Sequence, residues 1–230
     1  MVKGKKPVGI AGMNPVSGQV NSRLNILVKK EFEPQPAMEV LGVLPEWIER
    51  FPREAVFLRK YSENLDRNTV KKVCGLKSKS TLRQKFLLVM LWGYGPYAVG
   101  ATRTLNITNQ PNFEEKICRA YKLAGSGRHI DAIATLAIDP IKGLGPAYGT
   151  KFVFFASPWR KVCAPIYDKR VRDWLTVNAK SDFKASNLRK LQWDTNNYVK
   201  WSDWLLNQSI KLNTNWWDLE YLIFQDAKSI

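Results

Sequence analysis

The chain has 230 residues, 45% of them hydrophobic, enough for a sizeable core in one domain or two closely packed lobes, which excludes disorder throughout. Its 36 Lys plus Arg against 20 Asp plus Glu give a formal charge of +16, implying an anionic partner, nucleic acid first, held with a strong salt dependence. No run of about 18 apolar residues is present to span a bilayer, and Cys74, Cys118 and Cys163 are too widely spaced for a disulfide framework, a zinc site or an iron–sulfur cluster, so they read as buried free thiols in a reducing compartment.

Residues 1–35 mix Gly, Pro, Asn, Ser and Lys around a short β-prone run at 24–28 and read as a basic, irregular arm with at most one strand. Lys3, Lys5 and Lys6 are followed by Pro7, Gly9 and Gly12 rather than by a secretory apolar core, which gives a cytoplasmic expectation. Helical patterning starts at Ala37, with Pro45-Glu46 and Pro52-Arg53-Glu54 opening helices and a further helix over 68–73. Lys77, Lys79, Arg83 and Lys85 form a basic cluster ahead of the apolar helix 86–92; a solvated face and a phosphate-facing surface both explain it.

Gly93-Tyr94-Gly95-Pro96-Tyr97 ends that helix in a loop dense in aromatic rings. Trp92, Tyr94 and Tyr97 either pack as core or line a pocket where an extruded base stacks, with Arg103 next in sequence to bind phosphate or a base edge. A helix over 113–123 stops at Gly125-Ser126-Gly127, and His129, the only histidine, opens the next one over 130–138. A single histidine excludes His-rich metal sites and argues against a Ser–His–Asp hydrolase.

The turn Ile141-Lys142-Gly143-Leu144-Gly145-Pro146 then leads into a second helix from Ala147. Gly143 and Gly145 tolerate positive φ, and Pro146 suits a first helical position. Such a turn aims unpaired N–H groups from the positive end of a helix toward a phosphate oxygen, although Gly-Pro turns also serve merely to reverse a chain. That helix carries Phe152, Val153, Phe154 and Phe155 and ends at Ser157-Pro158; after Pro165 a new helix starts with Asp168 in its first turn, where a carboxylate caps free N–H groups. Helices follow at 175–177, 183–191 and through Tyr198, Trp201 and Leu205, and Trp216 to Phe224 closes the chain. The architecture reads as mainly α.

The hairpin Gly143-Leu144-Gly145, the second helix and Asp168 beyond it resemble the helix-hairpin-helix DNA glycosylases of base-excision repair, in particular the prokaryotic branch similar to 8-oxoguanine DNA glycosylase. The run 89–97 with Arg103-Thr104, and Asp218-Leu219-Glu220 with Leu222 and Phe224, extend the resemblance to about residues 40–228. The resemblance implies a two-lobed fold with the active-site cleft between lobes. On that plan residues 1–35 are the arm, 36–80 begin the terminal helical lobe, 81–169 form the hairpin lobe, and 170–230 return to the terminal lobe.

It further implies hydrolysis of the N-glycosidic bond of a modified base flipped from duplex DNA, in repair or in defence against phage DNA carrying modified bases. Asp168 would be the catalytic carboxylate; Lys142, Gly143, Leu144, Gly145 and Ala147 would hold the DNA backbone; Trp92, Tyr94, Tyr97, Arg103, Trp217 and Asp218 would border the base. No metal, organic cofactor, membrane or protein partner is implied. The sequence departs from the bifunctional members at Ala147, where they carry a nucleophilic lysine. Lys151, one helical turn further along the same face, is the substitute candidate, and a water-using, monofunctional enzyme is the default expectation. The alternative is a non-catalytic nucleic-acid-binding helix-hairpin-helix protein in which Asp168 only caps its helix.

Overall fold

The computed structural model describes residues 18–29, 36–63, 65–183 and 193–229. The expected helix over 183–191 and most of the expected arm fall outside these residues. Twelve α-helices carry the described chain: α1 (Gly18–Lys29), α2 (Leu44–Arg50), α3 (Ala55–Arg59), α4 (Arg67–Cys74), α5 (Leu82–Tyr94), α6 (Val99–Thr108), α7 (Phe113–Gly125), α8 (His129–Ala137), α9 (Pro146–Ala156), α10 (Lys169–Asn178), α11 (Thr195–Lys211) and α12 (Trp216–Asp226). Among the described residues the only β pairing is the bridge between Met38 and Leu65, and no helix is long and apolar enough to cross a membrane.

The helix starts are set locally. Asp66 accepts from the Thr69 N–H at 2.6 Å to open α4, while Thr81 and Gln84 close a reciprocal capping box at the head of α5. The apolar run 86–91 of α5 is wholly buried and packs against α9, whose residues 149–156 are buried on every side; α9 also rests on α4, α7 and α8. Helices with no solvated face belong at the centre of a core, and these two place the functional site at its edge.

Two elements differ from the sequence reading. The β-prone run at 24–28 lies inside helix α1, because Leu24 and Leu27 share one face and sit 0% and 2% exposed where α1 packs on α10 and α12. Arg23 pairs with Asp226, which also accepts from Trp174 Nε1 at 2.8 Å, so burial and a long-range ion pair outweigh the propensity of Ile26 and Val28. The second is α6, over a stretch for which the sequence suggests no helix between the loop at 93–97 and the helix at 113–123. Its glycine and β-branched residues are weak helix formers, but Gly100, Ala101, Thr104, Ile107 and Thr108 bury one face of it against the neighbouring helices.

Arg67 on α4 and Glu220 on α12 form a buried ion pair, with the guanidinium also lying 4.3 Å from the Phe154 ring centre. Burial pushes the Glu220 carboxyl up, against the opposing pull of Arg67, and Asp168 and Lys151 are close enough for their charges to be felt there.

Candidate active site

Helix α8, the turn 138–145 and helix α9 form the expected hairpin. Asp139 and Gly143 take positive φ, +48° and +90°, whereas Gly145 has φ −84° and ψ 175°, so only one of the two hairpin glycines uses left-handed backbone. A Cβ on Gly143 would also lie 3.2 Å from Ile107 Cγ1, while one on Gly145 would meet nothing within 4 Å. Gly145 therefore serves by leaving open space at the head of α9, where no side chain caps the helix and the Ala147 N–H lies in the unsatisfied first turn. Leu144 differs from its expected role at the DNA backbone. Its side chain is 3% exposed, its N–H donates to Ile141 O, and its carbonyl accepts from Trp193 Nε1 at 3.1 Å, so it plugs the turn into the core.

The two glycines thus have separable roles. Gly143→Ala is expected to destabilise the protein, read as a lowered Tm. Gly145→Ala is expected to fold normally and to bind duplex DNA more weakly, read by titration of a labelled duplex.

A cavity of about 750 Å³ opens beside the turn. Lys142, Gly143, Gly145, Ala147 and Tyr148 form its hairpin side; Tyr94 of α5 and Arg103 of α6 face them; Arg172 of α10 closes one end. The Arg172 guanidinium is buried and its Nε donates to the Asp168 carbonyl at 3.3 Å, giving a fixed cation on the wall. Lys142 is exposed at the rim. Its replacement by Ala is expected to weaken binding of all duplexes about equally and to reduce the salt slope by about 1, as for loss of one phosphate contact; affinities measured across a salt series test this.

Behind this cavity lies the charge pair. Lys151 Nζ is 2.8 Å from Asp168 Oδ2, with side-chain exposures of only 10% and 11%. Asp168 is the N-cap of α10, and its other oxygen accepts from the Val171 N–H at 3.2 Å. The same carboxylate therefore both caps α10 and pairs with Lys151. The alignment comes from the neighbouring residues: Thr150 Oγ1 donates to Pro146 O at 2.7 Å and accepts from Tyr167 N at 3.0 Å, which clips the extended segment 162–168 to α9 one residue before the charge pair. Burial on its own would raise the Asp168 carboxyl, but the Lys151 charge and hydrogen bond, with help from the Val171 N–H, hold it below the usual carboxylate range.

The aromatic expectations divide. Tyr94 and Arg103 line the cavity. Tyr97 is 67% exposed in the short connection before α6 and does not line it. Trp92 is core, packed edge-on to Phe155 at 4.9 Å between ring centres, yet its Nε1 is buried with no hydrogen-bond partner among the described residues. Trp217 and Asp218 do not return to this cavity. Trp217 faces Trp159 and borders a separate cavity near His129, and Asp218 accepts from Asn215 at the exposed head of α12. The face of α12 that turns inward instead carries Glu220, because the helical period sets it two positions round from Asp218. Sequence reasoning also passed over Tyr148 and Arg172; the only signal for Arg172 was its position one helical turn after Asp168.

A glycine turn joining two helices, the second bearing a buried lysine that meets the carboxylate heading the next helix, defines a helix-hairpin-helix glycosylase fold. The family described as "Putative 8-oxoguanine DNA glycosylase OGG-like protein" matches residues 35–224, and the chain belongs to this family. Membership points to DNA glycosylase function with DNA as the substrate. Comparisons with curated proteins and with solved structures returned no match.

Proposed function

We propose that the protein excises a modified base extruded from duplex DNA, and that Lys151 is its nucleophile. The observation that carries this reading is the 2.8 Å contact between Lys151 Nζ and Asp168 Oδ2 in a setting where both side chains are about nine-tenths buried. A phosphate-contacting lysine belongs at the surface, as Lys142 is; one held at a buried carboxylate beside a cavity of about 750 Å³ is placed for chemistry. This shifts the balance from the water-using enzyme expected from Ala147.

As the nucleotide binds, Asp168 takes one proton from the Lys151 ammonium across their hydrogen bond, freeing the amine lone pair for the moment of attack. The amine then forms a bond to the sugar C1′ as the N-glycosidic bond breaks and its electron pair leaves with the base. Asp168, returning to its ionised form as it releases the proton toward the departing base, stabilises the cationic character at C1′. The sugar ring can then open to an imine on Nζ, which supports elimination of the 3′ phosphate. The hairpin N–H groups and Lys142 hold the flanking phosphates, and Arg172 meets the nucleotide from the end of the cavity.

The family description supports an oxidised purine as the excised base; repair and defence against modified foreign DNA would use the same excision. On this reading the two lobes are those expected from sequence, with DNA across the face that carries the hairpin. The test is incubation with duplexes bearing a panel of modified bases, with free base detected by mass and parallel trapping by borohydride. Base release with a trapped adduct is the expected result. Binding of DNA without release from any duplex would leave a non-catalytic module.

A further inference from the structure

The charged pair is not open to the cavity beside it. Tyr94 and Tyr148 line that cavity, whereas Lys151 and Asp168 do not. The two tyrosine rings stack at 4.3 Å between centres and 24° between planes, and Lys151 Nζ lies 5.6 Å from the centre of the Tyr148 ring. Two glycines make this arrangement possible. A Cβ on Gly93 would come within 2.9 Å of Tyr148 Cε1 and 3.3 Å of Lys151 Cδ, and a Cβ on Gly100 within 2.6 Å of Tyr94 Cγ. The tyrosines therefore lie flat on helix surfaces stripped of side chains, one over the lysine stem and one at the start of α6.

We propose that the Tyr94–Tyr148 stack is an aromatic gate: in the state described here it shuts Lys151 off from the cavity, and the Tyr148 ring must leave its bed on Gly93 before a sugar carbon reaches Nζ. The gate rests on the reading of Lys151 as the reacting amine. Two physical consequences follow from the closed position. The ring excludes water from the ion pair, which strengthens its electrostatics and keeps the amine from small carbonyl compounds. It also lays its π face 5.6 Å from the ammonium, a contact that is given up when the ring swings out. Swinging the ring aside opens the amine at the moment a nucleotide fills the space, so access to the amine is coupled to binding. Tyr148 is the mobile partner because it is half-buried in the first turn of α9, whereas Tyr94 is 6% exposed and fixed at the end of α5.

The gate is read without DNA. The intact protein is treated with formaldehyde and cyanoborohydride, and methylation of each lysine is followed by mass spectrometry, with exposed Lys142 as the internal standard. In the wild type Lys151 is expected to lag far behind Lys142. Because the rate scales with the open fraction, Tyr148→Ala is expected to raise Lys151 methylation about tenfold or more relative to Lys142, and Tyr148→Phe, which keeps the ring, to leave it slow. Gly93→Ala, which crowds the ring out of its bed without removing it, is expected to give an intermediate rise and serves if Tyr148→Ala does not fold. Wild-type Lys151 reacting as fast as Lys142, or a rate unchanged in whichever of the two variants folds, overturns the gate. Methylation requires no DNA, and because the Asp168 partner is common to all these variants, the change in Lys151 rate among them reads access to the amine; it does not depend on whether Lys151 attacks C1′, which borohydride trapping on DNA reads separately.

Discussion

Asp168→Asn is expected to cut base release steeply while DNA binding survives and the fold persists at lowered stability, Lys151 being left without its partner. Asn is as good an N-cap as Asp, so the Val171 N–H keeps its acceptor and α10 its start. What is lost is the negative charge opposite Lys151 and beside the sugar, a change worth about 10²–10⁴-fold in rate when a general base and an electrostatic stabiliser are removed together. Single-turnover excision against duplex affinity at the same salt separates the two effects. Unchanged excision in this variant would sink the catalytic reading of Asp168.

The same carboxylate sets a pH signature. Its folded-state pKa lies below the ordinary value, so it stays ionised through mildly acidic pH, and the loss of activity it causes falls below the usual carboxylate range. Because the shift is downward, the stability it contributes is present above the unfolded pKa and is lost as pH falls through the folded one. Asp168→Asn is expected to flatten that part of the acid profile, measured by denaturant melts at each pH. Glu220, shifted upward by burial, contributes in the opposite sense: its share is present below the unfolded pKa and is lost as pH rises through its folded value. The comparison therefore has to be made between variants at matched pH.

The second large effect is expected for Lys151→Met. It removes the amine, so borohydride trapping disappears, and it leaves a buried carboxylate without its partner, which costs about 3–5 kcal/mol. Combining it with Asp168→Asn removes the orphaned charge and is expected to restore most of the stability while activity stays absent. That recovery separates chemistry from folding: a variant stable and still inactive lost its nucleophile rather than its structure. Base release by Lys151→Met within a few-fold of wild type would return the nucleophilic role to water activated by Asp168.

Much of the site was legible because it is built from short-range features. The hairpin could be located from Gly143 and Pro146, since positive φ and a fixed φ are properties of single residues. Asp168 could be placed at a helix head because capping needs only the N–H three residues on. The reading failed where a decision lay far away in sequence. The run at 24–28 has strand propensity, yet it is helical because Leu24 and Leu27 find a surface made by α10 and α12, nearly the length of the chain away. Trp217 and Asp218 were placed at the base pocket by the resemblance, but the rotation of α12, set by its packing on α1, α10 and α11, turns Glu220 inward instead.

The sequence by itself determined the helical architecture, the turn that exposes a helix N-terminus beside an exposed lysine, and the anion-seeking charge of +16, because periodicity, backbone sterics and net charge are all written residue by residue. Only the tertiary structure decided that Lys151 meets Asp168, that Arg172 walls the cavity, and that the Tyr148 ring lies beside the amine. Those contacts join residues on α5, α9 and α10 whose relative depth depends on the Thr150 clip, on the bare helix surfaces at Gly93 and Gly100, and on the burial of α5 and α9. Packing, unlike periodicity, has no local signature.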